Sequence, residues 1–254
     1  MKVFIDPGHG GRDPGVTGNG YRESDLTLED ALAVGAMLIK AGVQVKFSRT
    51  TDKYVALYER AKMANAWGAD IFISFHINGV ESSLATGTET FYYRARSKAL
   101  AEKMQKTLVD TLGLTNRGVK TRGFVVVKYT KMPAVLLEPF FIGNKHDLNR
   151  YLSRRGQLRV NLAKTLLDYL GVKPKKRRAM YQKGRWIRWP RVASDDRVIV
   201  GNPHKTKTIK VISRRNGKTR KHWIDPERSI SLPGTGGYVK LRSLAVIDSE
   251  LRLS

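Results

Sequence analysis

Short apolar runs alternate with helix-period segments through residues 1–172. Apolar runs bounded by Gly, Pro or Asn are typical of strands, and six are predicted, at 3–5, 43–47, 71–75, 88–93, 124–127 and 134–137. Four segments place apolar residues three or four apart and are predicted to be helices, the first beginning near 24 and the others at 55–67, 97–112 and 158–170. This alternation indicates an α/β fold, a mostly parallel sheet flanked by helices.

The first helix has clearly predicted ends and a clearly predicted face. Ser24 or Asp25 can cap its N-terminus, and Gly42 lies where a helix commonly stops. Its apolar residues fall on one face, the pattern of a helix that packs against a core. They are Leu28, Leu32, Ala36 and Ile39.

A second domain is predicted after the last helix. Residues 173–178 are basic and have no apolar periodicity, so we interpret them as a linker between domains 1–172 and 179–254. In the second domain, short strand-like runs are separated by Gly, Pro and Asn, and Asn216-Gly217 between 207–213 and 221–224 is a strong hairpin signal. We expect a small, mostly β domain there.

Composition limits the classes of protein and site that fit the chain. No apolar run approaches the roughly 20 residues that a membrane-spanning helix needs. With no cysteine, disulfides, thiolate metal ligands and thiol nucleophiles are excluded, so a metal must be bound by His, Asp or Glu. No cationic region followed by an apolar run comes after Met1, so no signal peptide is predicted.

Positive charge is concentrated in the last third of the chain. The formal net charge is +25; residues 173–254 carry 22 Lys and Arg against 6 Asp and Glu, or +16, and residues 1–172 carry the other +9. Such a charge predicts attraction to a polyanion. Nucleic acid, acidic lipid and an anionic cell-wall polymer all fit it.

Two histidines lie at or shortly after the ends of predicted strands. His9 lies in a Gly- and Pro-rich segment after the first strand, and His76 ends the apolar run of the third. Ligands collect at the carboxyl ends of strands in open parallel sheets, which makes both residues candidates for a site. A turn histidine bonded to the backbone explains His9 alone equally well.

Two glutamates could complete such a site. Glu138 follows an apolar strand directly, where an unpaired charge is unfavourable, so it indicates a metal or proton-transfer site, with a buried salt bridge as the alternative. Glu23 precedes the first helix, where its charge also suits the helix dipole. A catalytic zinc commonly takes three protein ligands and leaves a fourth position for water, and two His with one Glu is such a set.

The first 172 residues resemble the zinc-dependent N-acetylmuramoyl-L-alanine amidases, a family that includes phage endolysins and bacterial autolysins. The resemblance rests on the glycine-rich segment 5–15 with His9, on Glu23 before a helix, on 74–78 with His76, and on 136–144 with Glu138. The intervening matches are Ser48, Arg49, Thr50, Asp52, Leu57, Arg60, Ala64, Asn65, Ala69 and Asp70.

The resemblance implies a function and a role for each residue. It implies an amidase/phosphorylase-like catalytic domain with one zinc ion bound by His9, Glu23 and His76, and Glu138 as the catalytic carboxylate. The bond cut would join the lactyl group of N-acetylmuramic acid to L-alanine in peptidoglycan. Substrate contacts are predicted at Arg12, Asn78 and Arg122, for which structural or solvent-exposed roles are an equal alternative. No metal role is predicted for His146, His204 and His222.

The composition of the basic second domain predicts what it binds, and the missing signal peptide predicts where the protein is made and acts. We expect it to bind an anionic wall polymer, with its aromatic residues among the cations either stacking on sugars or forming the domain core. These are Tyr181, Trp186, Trp189, Trp223 and Tyr238. No obligate protein partner is implied, and nucleic acid would bind only nonspecifically. The missing signal peptide favours a phage endolysin that is made in the host cytoplasm and reaches the wall after membrane permeabilisation.

Two other functions stay open at this point. The whole chain could be a nucleic-acid-binding protein that uses the basic second domain. It could also be a zinc peptidase that cuts elsewhere in the stem peptide, because zinc and a glutamate do not fix the substrate. Product analysis separates these alternatives, since an amidase releases a free L-alanine amino group without a new reducing sugar.

Overall fold

The computed structural model describes residues 1–79 and 84–172 in full and, beyond them, the backbone of strands between 177 and 249. It divides the chain into two compact units, Met1–Lys173 and Pro174–Ser254. No helix among the described residues is both long and apolar enough to cross a membrane.

The first unit is built on a six-stranded sheet. Its strands in chain order are β1 (Lys2–Pro7), β2 (Thr17–Gly18), β3 (Tyr21–Arg22), β4 (Gln44–Phe47), β5 (Ile71–Phe75), β6 (Thr88–Tyr92), β7 (Asn116–Thr121) and β8 (Ala134–Glu138). The sheet has the order β4-β1-β5-β8-β6-β7, while β2 and β3 form a separate antiparallel pair. All neighbours in the sheet are parallel except β6 and β8, which confirms the prediction of a mostly parallel sheet flanked by helices.

The helices of this unit connect or follow the strands of the sheet. They are α1 (Glu23–Lys40), α2 (Leu57–Trp67), α3 (Lys98–Leu112), α4 (Val125–Lys128) and α5 (Lys145–Tyr169). The central strand β5 is buried along its whole length, and α1 and α3 both pack against α5. This packing fixes the strand ends that carry the candidate site.

Strand direction determines which residues meet. Because β1, β5 and β8 are parallel neighbours, their carboxyl ends share one edge of the sheet, here called the carboxyl edge. Strand β6 runs the other way, so its beginning lies at this edge and Glu89 is directly opposite Glu138.

Helix α1 buries a different face from the predicted one. Of the predicted positions 28, 32, 36 and 39, none is fully buried and Ile39 is 55% exposed. The buried face includes polar residues, among them Asp30, which accepts hydrogen bonds from Tyr151 and Arg159 of α5. An apolar pattern cannot identify a face whose polar members are buried with partners on another helix.

The predicted N-cap of α1 is also wrong. The helix begins at Glu23, ahead of Ser24 and Asp25, and no side chain caps it. The loop does so instead, because the backbone N–H groups of Glu23 and Ser24 donate to the carbonyl oxygens of Val16 and Pro14, at 2.9 and 3.0 Å. These bonds fix Glu23 against the loop that carries His9.

Three further elements differ from prediction. Residues 124–127 were expected to form a strand, but α4 is a short helix there that packs against α2. Strand β7 was not predicted because its sequence is polar and contains Gly118. Helix α5 begins at Lys145, where Asn144 accepts hydrogen bonds from His146 N and Asp147 N, well before the predicted start at 158.

The second unit consists, in its described backbone, of antiparallel strands. They are β9 (Arg177–Tyr181), β10 (Trp186–Arg188), β11 (Arg197–Gly201), β12 (Ile209–Arg215), β13 (Lys218–Ile224), β14 (Ser229–Pro233), β15 (Tyr238–Leu241) and β16 (Ala245–Ser249). They form sheets of order β10-β15-β12-β13 and β14-β11-β16-β9.

Two details of the second unit bear on the sequence predictions. Strands β12 and β13 pair with Arg215 opposite Lys218, as the predicted hairpin around Asn216-Gly217 requires. Strand β9 begins within the predicted linker 173–178. The aromatic side chains expected to bind sugars or form a core lie outside the described residues.

Candidate metal centre

Three side chains that can bind a metal ion converge at the carboxyl edge. His9 follows β1, His76 follows β5, and Glu23 is the first residue of α1. Glu23 Oε1 lies 3.1 Å from His9 Nε2 and 3.0 Å from His76 Nδ1, and the centroids of the two imidazole rings are 4.9 Å apart. One ligand atom of each residue lies within 4.8 Å of the others. The structure thus brings the predicted ligand set together.

The His9 ring is oriented from behind by a carboxylate. Both oxygens of Asp13 lie 2.9 Å from His9 Nδ1. A proton on Nδ1, shared with Asp13, leaves the Nε2 lone pair facing Glu23 and free to bind a cation. The backbone of His9 has a φ of 60°, which residues other than glycine rarely adopt and which tends to occur at functional sites.

Two buried arginines hold this strained loop in place. Arg60 Nη2 donates to the carbonyl oxygen of His9 at 2.8 Å. Arg49 Nη2 donates to the carbonyl oxygens of Gly8, at 2.8 Å, and Ser24, at 2.7 Å, and so connects the loop to the start of α1. Both arginines are 1% exposed. Charged donors shielded from water bind carbonyl oxygens strongly, which stabilises the unusual backbone.

The Glu23 carboxylate is surrounded by donors. It accepts from the backbone N–H groups of Val16, at 3.0 Å, and Ile77, at 2.9 Å, in addition to its contacts with the two histidines. Burial raises the pKa of Glu23, but the hydrogen bonds and charges of His76 and His9 outweigh burial and lower the pKa well below the usual range. The carboxylate is therefore ionised at neutral pH and can bind a cation.

Two glycines allow this close approach of loop and ligands. A Cβ atom at Gly8 would lie 2.5 Å from His76 Cε1, and one at Gly15 would lie 2.6 Å from Glu23 Oε2. Gly15 also has a φ of 67°. A side chain at either position would push a ligand out of place.

Glu138 ends β8, next to the strand that carries His76. Its Oε2 atom is shielded from solvent, and no described residue forms a hydrogen bond with it. Burial, and then the negative charges of Glu23 and Glu89, raise the pKa of Glu138 well above the usual range. A shielded carboxyl oxygen without a partner is unfavourable in a folded protein and marks a position that suits a proton, water or substrate.

The residues at this edge fit a metal ion. Two imidazoles and one carboxylate are a ligand set of catalytic zinc sites, and a carboxylate on the second nitrogen of a ligating histidine, as Asp13 provides, is common there. His146, exposed in the first turn of α5, is not part of the group. The side chains of His204 and His222 lie outside the described residues.

Two of the predicted substrate contacts lie on segments that follow the candidate metal ligands. Arg12 is exposed on the loop after His9, with its guanidinium carbon 4.2 Å from the centroid of the Tyr54 ring. Asn78 lies two residues after His76, and its Nδ2 donates to Glu89 at 2.7 Å. The amide of Asn78 is therefore already engaged by a buried carboxylate.

Arg122 lies elsewhere. It follows β7, which runs parallel to β6 and therefore opposite to β8. The structure places Arg122 at the amino ends of β5 and β8, the opposite edge of the sheet from Glu138. The sequence alone does not reveal the direction of β6 and β7, so it could not predict that Arg122 and Glu138 lie at opposite edges of the sheet.

Sequence reasoning assigned no role to several residues of this edge. Asp13 orients His9, Arg49 and Arg60 hold the loop, and Glu89 lies opposite Glu138. The spacing of Asp13, four residues after His9 in a tight loop, was a usable signal. No local signal identified the others, because the contacts that place them here are distant in sequence: Arg49 with Gly8, Arg60 with His9, and Glu89 with Glu138.

The chain is similar to known peptidoglycan amidases in sequence. Residues 3–167 match the family model described as N-acetylmuramoyl-L-alanine amidase. The N-acetylmuramoyl-L-alanine amidase LytC of Bacillus subtilis is 43% identical over 152 residues, which is 58% of this chain and 31% of LytC. An endolysin of Bacillus phage SPP1 is 37% identical over 154 residues, 57% of this chain and 56% of the endolysin. The chain thus spans less than two thirds of either relative.

The fold is similar as well. The catalytic domain of CwlV, an N-acetylmuramoyl-L-alanine amidase from Bacillus (Paenibacillus) polymyxa var. colistinus, superimposes with a TM-score of 0.64 at 36% sequence identity. The match covers 68% of this chain and 99% of that domain.

Proposed function

This chain belongs to the N-acetylmuramoyl-L-alanine amidase family, and from that premise we propose that it is a zinc-dependent hydrolase of bacterial peptidoglycan. The bond cut is the amide between the lactyl group of N-acetylmuramic acid and L-alanine. His9, Glu23 and His76 hold one zinc ion, and Glu138 is the catalytic carboxylate.

One observation carries this proposal. A complete His, His, Glu ligand set and a carboxyl group whose shielded Oε2 has no hydrogen-bond partner among the described residues lie at one edge of the sheet. Amide hydrolysis needs an electrophile to activate the carbonyl and a group that transfers a proton from water to the leaving nitrogen. The two parts of the site supply these two needs.

Each residue has a distinct task in the reaction. A zinc ion held by His9, Glu23 and His76 would act as a Lewis acid and would lower the pKa of a bound water. Glu138 takes a proton from the attacking water on its unpartnered Oε2 and delivers it to the departing nitrogen of L-alanine. Burial and two neighbouring carboxylates raise the pKa of Glu138, which suits a group that must hold a proton near neutral pH. Asp13 keeps His9 Nε2 directed at the site.

The test is release of amino groups from purified peptidoglycan. The wild type should release L-alanine amino termini without new reducing sugar, lose activity in chelator and regain it with zinc. His76→Ala should lose both zinc and activity, and Glu138→Gln should keep zinc but lose activity. His146→Ala, which removes an exposed histidine outside the site, is the matched control. Full activity in chelator or in Glu138→Gln would refute the mechanism.

The alternative functions are not favoured by the comparisons, which name peptidoglycan amidases and an endolysin. A peptidase that cuts within the stem peptide would expose an amino terminus other than L-alanine. Identification of the new amino-terminal residue in the same assay therefore separates the two hydrolases.

A lytic role after membrane permeabilisation is also part of the proposal, and the similarity to a phage endolysin supports it. Inside a producing cell the protein should leave the wall intact until the membrane is permeabilised, and turbidity should then fall. Lysis without permeabilisation, or none after it, would contradict this role.

A further inference from the structure

A second charged cluster lies beside Glu138. The side chain of Glu89, at the start of β6, is 5% exposed and directly opposite Glu138 in the β6–β8 register. It accepts hydrogen bonds from Asn78 Nδ2, at 2.7 Å, from Arg117 Nε, at 3.2 Å, and from Lys120 Nζ. Residues opposite each other in an antiparallel pair project from the same face of the sheet, so Glu89 and Glu138 share one face.

The cluster contains more cations than are required to neutralise its one carboxylate. One buried carboxylate is matched by two cations, Arg117 and Lys120, whose side chains are each 37% exposed. Burial raises the pKa of Glu89, but the hydrogen bonds of Lys120, Asn78 and Arg117 lower it below the usual range, so Glu89 remains ionised. The net charge of the three ionised groups is +1, and it is carried by the exposed members.

Both cations keep donors for a further ligand. Arg117 uses Nε for Glu89 and Nη1 for the carbonyl oxygen of Thr86, at 3.3 Å, and its guanidinium carbon lies 4.9 Å from the centroid of the Phe141 ring. Its Nη2 has no hydrogen bond with a described residue. Among these residues Lys120 Nζ bonds only Glu89, leaving further N–H donors. The side chains are thus fixed at one end and partly open to solvent.

We propose that Arg117 and Lys120 form a carboxylate-binding subsite for the peptide portion of the substrate. This inference rests on the proposed function. The muramic acid carboxyl is consumed in the scissile amide, and the sugars carry hydroxyl and acetamido groups. A free carboxylate near the cut bond must therefore belong to the peptide that begins with L-alanine. Arg117 and Lys120, anchored by Glu89, favour substrates with such a carboxylate over amidated ones.

The experiment compares two soluble muramoyl peptides that differ only in whether the carboxyl group of the residue after L-alanine is free or amidated. The preference is the ratio of kcat/KM for the free substrate to that for the amidated one. This ratio does not depend on the fraction of protein that is folded, so partial unfolding of a variant does not obscure it. We expect the wild type to prefer the free carboxylate by roughly tenfold, the low end of a hydrogen bond between charged groups.

The variants are Arg117→Met, Lys120→Met and the double substitution. Each single change should reduce the preference mainly through KM on the free substrate, and the double change should remove it. Lys120→Arg keeps the charge and should keep the preference. Lys106→Met, which removes an exposed cation on α3 paired with Asp110, is the matched control.

Two results would overturn the subsite: a wild type with no preference, or a double variant that keeps it. A wild type that cleaves neither peptide, yet releases L-alanine amino groups from intact peptidoglycan, would also argue against recognition within this short peptide. Failure on all three substrates would instead overturn the proposed function.

Discussion

Asp13 lies outside the proposed ligand set but contacts one of its members, His9. It contacts no atom that would bind a metal, yet both of its oxygens are 2.9 Å from the far nitrogen of the His9 ring. Such a carboxylate fixes the tautomer and orientation of the ring and raises its basicity.

We therefore predict that Asp13→Asn weakens zinc affinity by roughly 10- to 100-fold, the usual effect of losing such a partner. Competition with a chromogenic chelator measures this. Asp110→Asn, which alters an exposed ion pair on α3, is the control and should leave affinity unchanged. Equal affinities for the two variants would show that His9 needs no partner behind it.

Glu138 gives a prediction about pH and stability. Its pKa is raised in the folded protein, so below the ordinary glutamate pKa both folded and unfolded chains carry the proton. As pH rises above that value, the unfolded chain releases its proton first, and the free energy of unfolding falls until pH passes the raised pKa.

Glu138→Gln removes this titration while keeping the shape of the side chain. We subtract the free energy of unfolding of the wild type from that of the variant, both measured by denaturant unfolding in chelator. This difference should be larger at pH 7 than at pH 4. Parallel stability profiles for the two proteins would contradict a raised pKa. Glu59→Gln, at an exposed glutamate, provides the comparison.

The sequence allowed prediction of those site residues that lie at the ends of strands. His9 lies in the loop after a predicted strand, His76 and Glu138 each directly follow one, and parallel strands bring such residues together. Glu23 came from the ligand number of zinc and from the family resemblance. Glu89 could not be predicted, because its position depends on an antiparallel strand within a mostly parallel sheet.

At the scale of elements, α1 and α5 are joined by a buried polar network. Tyr151 donates its hydroxyl to Asp30 at 2.8 Å, Arg159 Nε donates to the same carboxylate at 2.7 Å, and the Tyr151 ring stacks on Phe140 with centroids 4.4 Å apart. The network holds the helix that begins with Glu23.

Tyr151→Phe keeps the ring stacking and removes only the hydroxyl. It should lower the free energy of unfolding by about 1–3 kcal/mol, because it removes a donor from a buried carboxylate. Chemical denaturation measures the change. Tyr169→Phe, on the same helix at a hydroxyl without a hydrogen bond among the described residues, should change stability little. Equal effects would mean that the network contributes nothing beyond packing.

Element prediction succeeded for β5 and failed for the buried face of α1, and the two outcomes have different physical reasons. Strand β5 is buried along its whole length and is apolar except for Ser74, so its bounds are evident from sequence. Helix α1 buries Asp30 against another helix, and its buried face is no longer marked by apolar spacing. Residues 124–127 are all apolar. An apolar run of only four residues is compatible with a strand and with one turn of a helix, so the sequence could not decide between them.

At the scale of the whole molecule, charge is divided unequally between the two parts of the chain. Residues 173–254 carry +16 and residues 1–172 carry +9. We propose that the second part binds an anionic wall polymer, an interaction that salt screens because the Debye length falls from about 10 Å at 0.1 M to about 3 Å at 1 M.

Binding of the full chain to purified walls should therefore fall steeply over this range of salt, and walls stripped of their anionic polymers should retain much less protein even at low salt. Hydrolysis of a small amidated muramoyl peptide should change far less, because it needs no polyanion. Sedimentation with walls gives the first quantity and amine release gives the second. Equal retention on native and stripped walls would exclude the anionic polymer as the ligand. Equal salt dependence of binding and of small-substrate hydrolysis would instead place the electrostatic contribution in the catalytic unit.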